Sequence, residues 1–140
     1  MPYLLDTVTL SAFRRPDKAG PNLIRWQAAQ RGTIGCVSVV TLNELRYGMR
    51  KVEERDPVFA AHLATWYSQI VSHPDQFRIL SVDRAIAELA ADFRADHNTP
   101  FEDSLIAATA KVHKLTLATR NTADFEGCGI DILNPWEFDS

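Results

Sequence analysis

Apolar positions along the chain alternate between short, dense runs and longer stretches repeating every three or four residues. Tyr3, Leu4 and Leu5, running into Asp6, read as a short buried strand. Thr33–Val39, Phe77–Val82 and Leu115–Thr119 read as three more, and Ile130–Leu133 as a fifth at an edge. Between them the period is helical. Leu23–Gln30 follows Gly20, Pro21 and Asn22, a helix start signal, and Thr41–Arg50 carries Leu42, Leu45 and Met49 on one face. Pro57–Val71 repeats Phe59, Leu63, Trp66, Tyr67 and Ile70, a core pattern with Trp66 or Tyr67 available to a partner segment. Asp83–Ala95 begins on an acidic cap, and Glu102–Lys114 follows Pro100, which ends the helix before it. The stretch carrying Arg14, Arg15 and Lys18 reads as the loop after the first strand. Strands alternating with helices predict one α/β domain spanning residues 1–140, a three-layer α/β/α sandwich around a central, mainly parallel sheet. Ligands in such sheets sit beyond the carboxyl ends of the strands, and Asp6 stands at that end of the first.

Composition narrows the class. Hydrophobic residues make up 46% of the 140, enough for a single core, and no run approaches the roughly 20 apolar residues of a membrane span. With no signal-type segment at the N-terminus, the expectation is a soluble, cytoplasmic protein. A net charge of -3 argues against a globally basic nucleic-acid binder but leaves room for a local basic patch. Cys36 and Cys128 form no CxxC unit, and His62, His73, His97 and His113 have no ligand spacing, so zinc or a disulfide framework is not expected.

The carboxylates carry the chemistry. Asp6 ends a strand, Glu44 lies one turn into the helix after the second strand, and Asp103 opens a helix whose next residues are almost wholly apolar. Asn121 and Asp124 follow the fourth strand. Each segment reaches the same rim of a parallel sheet. Like charges gathered there raise one another's pKa unless a cation sits among them. Oxygen donors without Cys or His suit a hard divalent ion, Mg²⁺ or Mn²⁺, and the chemistry such a site serves is phosphodiester hydrolysis. Singly, Asp6 and Asp103 also suit a helix cap or first turn, Glu44 a solvated helix face and Asp124 a turn.

The segments "LLDT", "SVVTLNELRYGM", "DSLIAATAKVHKLTLATRNTADF" and "NPWEF" resemble, over nearly the whole chain, bacterial PIN-domain proteins of the VapC/FitB toxin type. The resemblance implies a parallel-sheet α/β fold and a Mg²⁺- or Mn²⁺-dependent ribonuclease, usually a homodimer. It also implies a DNA-binding antitoxin that holds the nuclease inactive and carries it to promoter DNA. The pattern's acids fall on Asp6, Glu44 and Asp103, and its small hydroxyl positions on Thr7 and Thr119. The fourth acid is open: many relatives carry one directly after the "TR" pair, where this chain has Asn121, and others use the position of Asp124.

Under this reading Asp6, Glu44, Asp103 and Asp124 hold metal, with Asn121 the neutral alternative that binds a metal-bound water or a phosphate oxygen, and Glu44 doubles as general base. Arg46, with Arg50 and Lys51 beside it, and Arg14, Arg15 and Lys18 are candidates for the RNA backbone; Arg120 either contacts a substrate phosphate or pairs with an antitoxin carboxylate or the acidic cluster. Trp136 packs the C-terminal segment onto the domain. A binding module that represses its promoter with the antitoxin is the alternative. An aspartyl-nucleophile phosphatase would want a second Asp two residues after the first, where this chain has Val8.

Overall fold

The computed structural model describes residues 2–139. Five strands, β1 (Tyr3–Leu5), β2 (Gly35–Ser38), β3 (Phe77–Leu80), β4 (Thr116–Ala118) and β5 (Ile132–Leu133), form one sheet in the order β3-β2-β1-β4-β5, every pair parallel. Side chains alternate across it. Leu4, Cys36 and Leu117 face a core completed by Ile86, Phe93, Ile106 and Ala107, while Leu5, Val37 and Ala118 face a second completed by Leu10, Leu23, Trp26 and Ile70. Burial on both faces explains why these strands read as continuous apolar runs.

Helices α1 (Thr7–Phe13), α2 (Pro16–Ala19) and α3 (Pro21–Ala29) cross from β1 to β2, and α4 (Val39–Val52) and α5 (Pro57–Ser72) from β2 to β3. Helices α6 (Arg84–His97) and α7 (Phe101–His113) return the chain to β4, on the far side of β1. The α/β/α sandwich is therefore as expected, with a correction before α3. The segment read as a loop is helical: α1 starts directly at Thr7, its N-terminus capped by Asp6, whose Oδ1 accepts from the Thr9 backbone N–H at 2.8 Å. The β-branched Thr7, Val8 and Thr9 are weak helix formers that hide the start, and the cap supplies it. Pro16 and Pro21 open α2 and α3, separated by Gly20 at φ 90°, a backbone conformation that suits glycine.

The other elements lie within a few residues of the expected bounds. Asp56 and Asp83 cap α5 and α6 through their side chains. Lys114 ends α7 in the left-handed conformation. Trp136 belongs to the second core's periphery, and its carbonyl accepts from the Asn22 side chain at 2.8 Å, which ties the C-terminal segment to α3. Among the described residues, no helix is long and apolar enough to cross a membrane.

Candidate active site

The strand order reverses between β1 and β4, since the chain builds outward from β1 through β2 to β3 and then returns to the other side. A crevice opens at such a switch point beyond the strands' carboxyl ends. In the β1–β4 register Leu5 lies opposite Ala118, so the next residues, Asp6 and Thr119, meet at the crevice floor. Thr119 donates its hydroxyl to Asp6 Oδ2 at 2.5 Å, and both residues are buried. The Thr9 hydroxyl donates to the Ala118 carbonyl at 2.9 Å, closing the same corner from α1. Both Asp6 oxygens are thus held by fixed donors, so the carboxylate keeps one orientation.

Glu44 comes from the second turn of α4. Thr7 donates its hydroxyl to Glu44 Oε1 at 2.7 Å and lies 3.1 Å from the Thr41 hydroxyl, which links α4 to the start of α1. Burial pushes the Glu44 carboxyl above its ordinary range; the Thr7 hydrogen bond opposes this, and the charges of Glu102 and Asp103 reinforce it. Asp103, in the first turn of α7, is likewise pushed up, first by burial and then by Asp124, Asp6 and Glu102. Asp6, Glu44, Asp103 and Asp124 come from four segments, and Asp103 is the point where the charges of the other three meet. None of them forms a salt bridge with a Lys or Arg among the described residues, where the ion pairs are Arg15–Asp17, Arg50–Glu53 and Arg84–Glu88.

The two candidates for the last position differ in what they offer. Asp124 sits in a 3₁₀ turn, Thr122–Phe125, and its charge reaches Asp103. Asn121 precedes that turn, exposed, and its backbone N–H donates to Thr119 Oγ1 at 3.1 Å. Asn121 thus fixes the residue that fixes Asp6. Thr119 serves as both acceptor and donor, and Thr7 orients Glu44.

Three contributors escaped the sequence reading. Glu102, exposed beside the partly buried Asp103, lies within hydrogen-bonding reach of the Glu44 carboxyl, a contact across two helices that spacing alone does not show. Thr41 and Thr9 are fully buried polar residues. Their signal was the wrong residue type at a core position, a hydroxyl within an apolar repeat.

The basic candidates divide. Arg46 is exposed on α4, whereas Arg50 is engaged by Glu53 at 2.7 Å and Lys51 lies 5.6 Å from the Tyr47 ring centroid. Arg120, the residue after Thr119, is exposed, its guanidinium 5.2 Å from the Trp136 ring centroid rather than paired with the acids. Arg14 is turned onto α5, 5.3 Å from the Phe59 ring centroid and 6.0 Å from that of Trp66, which makes Trp66 a packing residue for α1.

Whether these residues suit a divalent cation is answered by the donor set. It is all oxygen, it carries charge without a basic partner, and its members repel one another, as the raised Asp103 and Glu44 carboxyls record. The chemistry fits. Among the described residues no three Asp, Glu, His or Cys side chains yet stand at chelating geometry.

An all-parallel sheet in this order with carboxylates at its switch point defines an α/β protein with an acidic rim at the carboxyl ends of its strands. The chain belongs to the PIN-domain family, whose pattern matches residues 3–127, and within it to the VapC/FitB type. It is 32% identical over 143 residues to VapC ribonuclease Y4jK of Sinorhizobium fredii, covering 96% of this chain and 97% of that protein. Among solved structures it resembles FitAcB from Neisseria gonorrhoeae with a TM-score of 0.79 and 29% identity, over 97% of this chain and 99% of that one. DNA-bound VapBC from Salmonella typhimurium superimposes with a TM-score of 0.75 at 25% identity, over 96% of this chain and 98% of that one.

Proposed function

We propose that the protein is the toxin of a type II toxin–antitoxin pair, a Mg²⁺- or Mn²⁺-dependent endoribonuclease acting in the cytoplasm. The observation that carries this reading is the unneutralised carboxylate group at the β1–β4 switch point. Burial and neighbouring acids raise the Glu44 and Asp103 carboxyls, and with no basic partner for the four acids among the described residues the group is costly to fold unless a cation offsets it.

Asp6, Asp103 and Asp124, with Glu44, are the residues that would hold the ion. When bound, such a cation supplies Lewis acidity toward water and the attacked phosphate. Asp6 is the rigid anchor, fixed by Thr9 and Thr119. Glu44 acts as general base: burial and its neighbours raise its proton affinity, and the Thr7 hydroxyl orients it through Oε1. Arg120 and Arg46 orient the RNA backbone. Attack by water leaves a 5′-phosphate and a 3′-hydroxyl.

The solved relatives named for two-protein toxin complexes, one of them DNA-bound, support a cognate antitoxin as partner and promoter DNA reached through it. A homodimer is the expected assembly. The function is tested by incubating antitoxin-free protein with transfer and ribosomal RNA in Mg²⁺ or Mn²⁺ and mapping the cut ends. Specific cuts abolished by chelator and by Asp6→Asn support it. A cyclic-phosphate product, or cutting indifferent to chelator, refutes it.

A further inference from the structure

Beside the acids lies a feature that metal chemistry does not use. Phe101, the first residue of α7, is 60% exposed and leaves much of its ring open to solvent. The Arg94 guanidinium, from the last turn of α6, lies 5.1 Å from the Phe101 ring centroid. Arg94 has no carboxylate partner among the described ion pairs. Ring and guanidinium border a shallow groove of about 510 Å³, walled by the small side chains of Ala91 and Ala95 and by Asn98 and Thr99. Pro100 holds the ring at the helix entrance. Phe101 shares the first turn of α7 with Asp103, about 3 Å away in rise, but two positions along a helix point to nearly opposite sides, so a strand that touches both passes over the helix N-terminus.

We propose that Phe101 and Arg94 form a nucleobase subsite, in which a base of single-stranded RNA next to the cut stacks on the ring and Arg94 binds its flanking phosphate. The inference rests on the ribonuclease reading and adds to it where the strand lies. Aromatic faces stack any base, and an arginine beside the ring adds both cation–π and phosphate contact. The alanine-lined wall admits a flat group, and the Asn98 amide offers a donor and an acceptor to a base edge. Charge complementarity selects RNA over an apolar peptide: the free cation suits a phosphate, and a peptide's side chains would find little depth between Ala91 and Ala95.

The test is fluorescence anisotropy with a labelled single-stranded oligoribonucleotide cut by the wild-type protein, and copies with one base at a time replaced by an abasic linker. Binding is measured on an Asp6→Asn background so the probe stays intact, and cleavage on the otherwise wild-type protein. Phe101→Ala should weaken binding about tenfold, and Phe101→Trp should restore it. Arg94→Ala should weaken binding and flatten its salt dependence. The decisive comparison is with the abasic probes: at one position next to the cut, Phe101→Ala should cost nothing further.

Equal affinity of Phe101→Ala and its parent for the intact probe overturns the subsite while leaving the nuclease standing. So does an equal loss on every abasic probe, which would mark a structural effect. Weakened antitoxin binding with unchanged RNA affinity assigns the groove to a protein partner and overturns it too. Failure of the wild-type protein to bind or cleave any RNA overturns the ribonuclease reading and the subsite with it.

Discussion

Asp6 is both a structural cap and a candidate metal ligand, and two substitutions separate the roles. Asp6→Ala removes the acceptor for the Thr9 N–H, a cap worth about 1 kcal/mol. It also leaves the buried Thr119 hydroxyl without its acceptor, at a further cost of about 1–3 kcal/mol. Relief of repulsion with Asp103 offsets part of this, so the expected net loss in metal-free protein is about 2–3 kcal/mol. Asp6→Asn keeps a good cap, since its amide oxygen accepts from Thr9; its amide nitrogen donates to Thr119 Oγ1, so that Thr119 keeps a partner and loses only its acceptor, and the variant sheds the same repulsion. Its stability should stay within about 1 kcal/mol of wild type. Urea unfolding at constant slope measures both, and calorimetric Mn²⁺ titration should show binding lost in both variants. If Asp6→Ala unfolds at the same urea concentration as Asp6→Asn, the hydrogen bonds to Thr9 and Thr119 do not carry the energy assigned to them.

Other consequences are open to measurement. Glu44 and Asp103 have raised carboxyl pKa values, so between the ordinary carboxylate range near about 4 and neutrality the folded protein binds more protons than the unfolded chain. Their effect on metal-free stability is therefore a loss as pH rises through that window, and Mn²⁺ should reduce the loss; melting curves across pH with and without the ion would show no difference in slope if the acids did not share a cation. Glu44→Gln should cut turnover about 10²–10⁴-fold while making the metal-free protein more stable at neutral pH, and a destabilised variant would contradict the crowding of charge. Thr119→Val should leave Asp6 oriented by Thr9 alone and weaken Mn²⁺ affinity without abolishing it; an unchanged affinity would remove Thr119 from the site's support. Arg46→Glu should weaken RNA binding and lower its salt slope by about one unit, and an unchanged slope would take α4 off the substrate path.

The strands were legible because both faces of a parallel sheet are buried, which turns each strand into an apolar run bounded by polar residues. Helices α3 to α7 were legible by period and by caps such as Asp83. Helix α1 was not, since Thr7, Val8 and Thr9 suit a strand or loop by propensity, and the tertiary setting decides. At the site, the cap reading of Asp6 and the first-turn reading of Asp103 both describe the fold, and neither competes with the functional reading. A carboxylate on a helix N-terminus is already held rigidly. The supporting hydroxyls were harder to see: Thr7 and Thr119 came through resemblance, while Thr9 and Thr41 needed the register of β1 against β4 and the packing of α1 on α4.

The central claim is that the carboxylates gathered at the β1–β4 switch point make this chain a metal-dependent ribonuclease. The measurement that tests it most directly is end-mapping of RNA cut by purified, antitoxin-free protein in Mn²⁺, beside a chelator control and Asp6→Asn. The account predicts discrete cuts with 5′-phosphate and 3′-hydroxyl ends, absent from both controls. Folded protein that binds Mn²⁺ and leaves every RNA intact, or cuts equally well in chelator, would contradict it.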